Sequence, residues 1–204
     1  MEKNKIVKLV DLIAGGLSIV AGIFAFVLCI ICFTNFSDYA KGNWWLIINI
    51  VLDLASCGGF VFFGIMAMLP FLKGKEDSKS LTFAIGTYFA FETLIGFFSL
   101  CFWGFSASAF LNLLFGLIGL ALGIVGLFAK FEKMINLVIN GGFLLIGFVL
   151  SIIDLCYSSG VNIAFYIFIM LTILAYATSM ILKLVFDNNS SSSSSSSSSE
   201  TESK

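Results

Sequence analysis

Six stretches of this chain stay apolar for longer than a bilayer is thick, and this limits the fold more than any other feature. A helix crossing the hydrocarbon core needs about 20 mostly apolar residues. The stretches cover residues 9–33, 44–72, 81–103, 107–128, 134–156 and 161–186. Their apolar runs are continuous, unlike the short alternating segments of outer-membrane barrels, so helices are expected rather than strands. The first is too long for a signal-peptide core and lacks a convincing small-residue cleavage site, so it is read as a true span. The expected fold is all-α: a polytopic six-transmembrane-helix bundle built from three helical hairpins, occupying residues 1–186.

Composition removes whole classes of function. Hydrophobic residues make up 59% of the chain and charged residues 11%, against about 25% charged in soluble domains. The sequence holds eleven Lys but no Arg and no His. Without His there is no His-ligated zinc or haem and no Ser-His-Asp triad. No metal or other cofactor is expected. The net charge of −1, with no basic block, argues against nucleic acid as a partner.

The lysines also set the expected orientation. Lys3, Lys5 and Lys8 precede the first span, and Lys73, Lys75 and Lys79 fill the second connection. Lys130 and Lys133 fill the fourth, while Lys183 and Lys204 lie at the far end of the chain. Lys41 alone falls in the opposite set of connections. By the positive-inside rule both termini are expected in the cytoplasm. Trp44, Trp45, Trp103, Tyr39 and Tyr157 then gather at the other interface, where amphipathic rings favour the headgroup level. A glycosylation sequon, Asn35-Phe-Ser37, lies on that same outer side but close against the membrane.

The connections are about ten residues or fewer, which leaves no room for an extramembrane domain. Function is therefore expected inside the bundle, on its short loops, or on the tail. That tail, residues 187–204, carries ten consecutive Ser from Ser190 to Ser199 followed by an acidic end. Such a segment cannot bury apolar surface, so disorder is expected.

Polar and small residues fall into stripes at helical spacing. Asp11, Gly15, Ser18, Gly22, Ala25, Cys29 and Cys32 share one face of the first span, about 100° wide. Asn136, Asn140, Gly147, Ser151 and Asp154 fall within about 60° on the fifth. Asn49, Asp53, Ser56, Cys57 and Gly64 line one side of the second, and Tyr88, Glu92, Gly96 and Ser99 one side of the third. On the fourth, Asn112 leads a glycine stripe of Gly116, Gly119, Gly123 and Gly126, read as a helix-packing surface. Lipid cannot satisfy polar groups, so each stripe is expected to face the interior.

Asp53 and Glu92 stand out among these residues. Counting 1.5 Å per residue, Glu92 lies about 16 Å from either end of its span and Asp53 about 13 Å from the outer end. No Lys shares those depths, and a charged side chain at mid-bilayer costs at least about 3 kcal/mol. The two acids are thus candidates for an intramembrane proton, cation or solute site. The competing reading is a carboxyl hydrogen-bonded across a helix pair as packing. Asp11 and Asp154 sit nearer span ends, where water is expected to reach them.

Cys29-Ile-Ile-Cys32 has redox-motif spacing but lies at a helix C-terminus, where the dipole opposes thiolate formation. Small apolar packing is the expected role for these thiols. No nucleophile–base pair is readable, so an enzyme is not expected. Two function classes remain. The first is a non-enzymatic scaffold, trafficking or interaction protein of a eukaryotic endomembrane or plasma membrane. Its partners would be the lipid bilayer, other membrane proteins or further copies of itself. The alternative is a small-solute or proton/cation transporter using Asp53 and Glu92. The two differ in whether the polar stripes enclose a cavity that water can enter or pack dry.

Overall fold

The computed structural model describes residues 2–34, 44–73, 79–129 and 132–194, and all of its regular structure is helical. The helices are α1 (Glu2–Thr34), α2 (Trp44–Lys73), α3 (Lys79–Trp103), α4 (Ala107–Phe128), α5 (Lys133–Tyr157) and α6 (Val161–Ser194). All six are long and apolar enough to cross a membrane, so the chain is a helical membrane protein. The apolar part of α6 ends at Phe186, while the helix itself runs on through Ser194. Residues 195–204 of the tail lie outside the described residues, as do Asn35, Tyr39 and Lys41.

Neighbouring helices run antiparallel, which their contacts make plain. Along α1 and α2, Gly15 meets Gly64 while Gly22 meets Cys57 and Val61. The Ser18 hydroxyl donates to the Phe60 carbonyl at 2.9 Å between them. Along α3 and α4, Gly96 meets Ala109 and Leu113, and Phe89 meets Gly116 and Gly119. As one residue number rises the other falls. The same holds for α1 and α6, where Phe24 stacks on Phe168 and Asp11 meets Ser179 and Lys183. Each helix packs against its neighbours in sequence, and α6 returns against α1 to close the ring.

Local chemistry sets the turns. The three residues between α3 and α4 include Gly104 at φ 79, a conformation that favours glycine. Ser106 then caps α4, its hydroxyl accepting from the Ala109 amide at 3.2 Å. Gly160 at φ 60 makes the corresponding bend before α6. Pro70, a residue that ordinarily bends or ends a helix, sits one turn before the end of α2 at Lys73.

α3 lies nearest the centre and touches every other helix. Its Thr87 side chain fills the space over Gly59 of α2, and Phe89 packs on Gly119 of α4 and Phe143 of α5. Thr82 and the Tyr176 hydroxyl of α6 share a 2.9 Å hydrogen bond. Ile85, Phe89, Phe143, Leu144, Ile173 and Tyr176 form an apolar layer around this helix. The chain ends of the ring are fastened by polar contacts. Lys183 donates to Asp11 Oδ2 at 3.0 Å, and the Ser179 hydroxyl donates to Asp11 Oδ1.

Candidate functional site

The polar stripes converge on two connected features. The first is a buried pair of carboxyls. Glu92 on α3 is 0% exposed, and its hydrogen-bond partners come from two other helices. Asn112 Nδ2 of α4 donates to Glu92 Oε2 at 2.7 Å, and the Tyr166 hydroxyl of α6 donates to Oε1 at 3.1 Å. Asp154 on α5 is 4% exposed and accepts from the Tyr88 hydroxyl. Both acids are tied to α3, Glu92 on the helix itself and Asp154 held to it by Tyr88. Asp154 was expected to be wetted, since it lies within a turn of the end of its helix. The structure instead buries it, with Tyr88 of α3 bonded to it.

The pair is short of one donor. Asn112 Oδ1 is buried without a hydrogen-bond partner, although its residue is only 8% exposed. The carboxyl partners described here are neutral groups: two tyrosines and an amide. Ionised carboxylates only accept, whereas a protonated carboxyl carries an O–H. A protonated Glu92 would donate to this oxygen once the Asn112 amide is turned over, since Glu92 Oε2 bonds that amide. Glu92 and Asp154 are thus two buried acids held by neutral partners.

The second feature is a cavity of about 300 Å³ between α1, α2, α3 and α6. Asp53 lines it and accepts from the Cys32 thiol at 3.7 Å. Asn49, one turn away on α2, also lines it, with its Oδ1 buried and unpartnered. Asn162 of α6 stands at its edge. The cavity lies at the end of the bundle that carries Trp45, and Trp45 and the Tyr166 ring form part of its wall. Tyr166 therefore faces two ways. Its ring borders the cavity while its hydroxyl holds Glu92.

The remaining stripe residues take other places. Asp11 joins α1 to α6 through Lys183 and Ser179. Asn140 sits against Gly126 of α4, and Asn136 lies near the start of α5, away from the carboxyl pair. The α4 glycines divide between two neighbours: Gly116 and Gly119 face Thr93 and Phe89 of α3, while Gly123 faces Phe143 of α5. All five cysteines are free thiols. Among the described residues, no three Cys, Asp or Glu side chains come together to hold a metal ion.

Tyr166 and Asn162 have no counterpart among the sequence candidates, yet a signal for them exists. Asn162, Phe165, Tyr166, Ile169, Tyr176 and Lys183 fall on one side of α6 at about 100° per residue. No known protein family matches this chain, and neither a curated protein nor a solved structure is similar to it. The site is therefore read from its own chemistry.

A water-filled cavity makes a direct demand on Cys32. With Cys101 and Cys156 replaced by Ser, a positively charged methanethiosulfonate reagent is expected to modify Cys32 from the aqueous phase. Cys32→Ser should abolish the labelling. Lack of modification in intact, folded protein would mean that the cavity is dry.

Proposed function

We propose that this chain is a small transporter that carries protons or a small cation across its membrane through the interior of the bundle. One observation carries this reading above the scaffold alternative. Tyr166 lines the cavity that holds Asp53, and its hydroxyl donates to the buried Glu92. Packing alone does not need Asp53 in a cavity or an amide acceptor left without a donor. A proton-handling site needs both a way in and a group that can be filled.

The route begins at Asp53 in the cavity and reaches Glu92 through the Tyr166 hydroxyl. A hydroxyl can take a proton on one side and give its own on the other. Asp154, the second buried acid, is the next group that can take up the proton. Beyond Tyr88 lies the apolar layer of Ile85, Phe143 and Ile173. Passage to the far side requires a second arrangement in which that layer opens, as in carriers that expose one central site to each face in turn. On this reading the cavity faces outward or to a lumen, and the end held by Asp11 and Lys183 faces the cytoplasm with most of the lysines.

The test is reconstitution of the full chain into liposomes enclosing a pH-sensitive dye. Imposing an acidic exterior is expected to acidify the interior faster than in protein-free liposomes. A rate equal to that of empty liposomes, with protein shown to be inserted and folded, would overturn the proposal.

A further inference from the structure

The chemistry of the cavity wall narrows what can sit there. Asp53 supplies a carboxylate, and among the described residues lining the cavity none is basic. Four aromatic side chains enclose the same space: Trp45, Phe91, Phe165 and Tyr166. Rings of this kind attract a cation to their faces, and the attraction strengthens when the cation is desolvated. An anion would meet the carboxylate and the negative ring faces, so it is excluded. A hard metal cation wants about six or more oxygen ligands, carboxylates prominent among them, and Asp53 is the one acid among the described residues lining this cavity. Two of the walls, Phe91 and Phe165, are hydrocarbon rings, which suit an ion that carries its own apolar substituents.

Asn49 adds a second, independent constraint. Its Oδ1 is buried and has no donor. Asp53 cannot provide one in ionised form, and the aromatic rings have nothing to offer it apart from the edge groups of Trp and Tyr. A ligand with N–H groups would satisfy this oxygen and the Asp53 carboxylate together. The cavity volume of about 300 Å³ lies at the small end of ligand pockets.

We propose that the cavity is a binding site for a small protonated amine, its ammonium group held between Asp53 and Asn49 and its alkyl part against Trp45, Phe91 and Phe165. The assignment rests on the transport reading and names the class of solute that enters by this door. Tyr166 would then sit between the bound amine and Glu92. The residue that borders the ligand is also the one that touches the proton site.

The experiment is a calorimetric titration of the full chain in lipid nanodiscs with n-butylammonium, tetramethylammonium and n-butanol. Saturable binding of n-butylammonium is expected, with tetramethylammonium weaker because it has no N–H for Asn49, and n-butanol weaker still. Asp53→Asn should reduce n-butylammonium affinity by about tenfold or more, the usual scale for losing a charge-assisted hydrogen bond. Equal binding of n-butanol would overturn the proposal, since the cavity would then select only for apolar bulk. Equal binding of tetramethylammonium would overturn the assigned role of Asn49. The comparison among ligands uses the parent protein, so it stands even where the Asn variant fails to fold. No n-butylammonium binding in protein that still carries protons would sink the amine assignment and leave transport standing. Loss of both would sink both.

Discussion

Gly96→Ala is expected to destabilise the bundle strongly, although it adds a single methyl group. A Cβ at this position would lie 2.6 Å from the Ala109 carbonyl oxygen and 2.6 Å from the Leu113 amide nitrogen. Both are backbone atoms of α4, so no side chain can swing aside, and the helices themselves must separate. Overpacking of a tight contact costs about 1–3 kcal/mol, and a backbone clash belongs at the upper end. Separation would also pull Asn112 away from Glu92, because both bonding partners ride on these two helices. Gly86 on the same helix is the natural control. Nothing lies within 4 Å of a Cβ built there, so Gly86→Ala should gain about 0.5–1 kcal/mol from helix propensity. Detergent melting of the two variants should therefore shift in opposite directions. A neutral Gly96→Ala would mean that α3 and α4 do not meet as described.

Glu92→Leu should be strongly destabilising. It deprives Asn112 Nδ2 and the Tyr166 hydroxyl of their acceptor in a place water does not reach. Each buried group left unsatisfied costs about 1–3 kcal/mol, so the loss is about 2–6 kcal/mol in total. Glu92→Gln behaves differently. Its carbonyl oxygen still accepts from Tyr166, and its amide can donate to Asn112 Oδ1 once the Asn112 amide turns over. The change in stability should be no more than about 1–2 kcal/mol. Equal melting temperatures for the Leu and Gln variants would show that Glu92 is not held in this network.

The span limits were largely legible in the sequence because they are set by one quantity, the length of apolar chain. α4 begins at Ala107 and ends at Phe128 in both readings. α1 and α6 run beyond their apolar stretches because backbone hydrogen bonding does not stop where hydropathy does. The site was only half legible. Depth along a helix singled out Asp53 and Glu92, but depth is a one-helix measure. Asp154 looked shallow on α5, yet it is buried, with Tyr88 of another helix bonded to it. The shared face of Asn136, Asn140 and Asp154 likewise did not make them neighbours in function. α5 is long enough for one end of that face to meet Gly126 and the other the carboxyl pair. Asp53 and Glu92 were both candidates for an intramembrane site, and the structure puts Asp53 in the cavity and Glu92 behind it on the Tyr166 hydroxyl. Nothing in the spacing of α6 alone could reveal that partition, since it exists only once α3 and α6 are side by side.

The central claim is that Glu92 carries a proton rather than merely filling space, and a single comparison tests it. Parent protein and Glu92→Gln, each shown by melting to be folded, are reconstituted at equal density into dye-loaded liposomes under the same imposed pH gradient. The Gln side chain keeps the shape of Glu92 but cannot titrate, so proton entry should fall to the rate of empty liposomes while the fold persists. Proton entry through Glu92→Gln at the parent rate would contradict the account and return this bundle to the status of a packed scaffold.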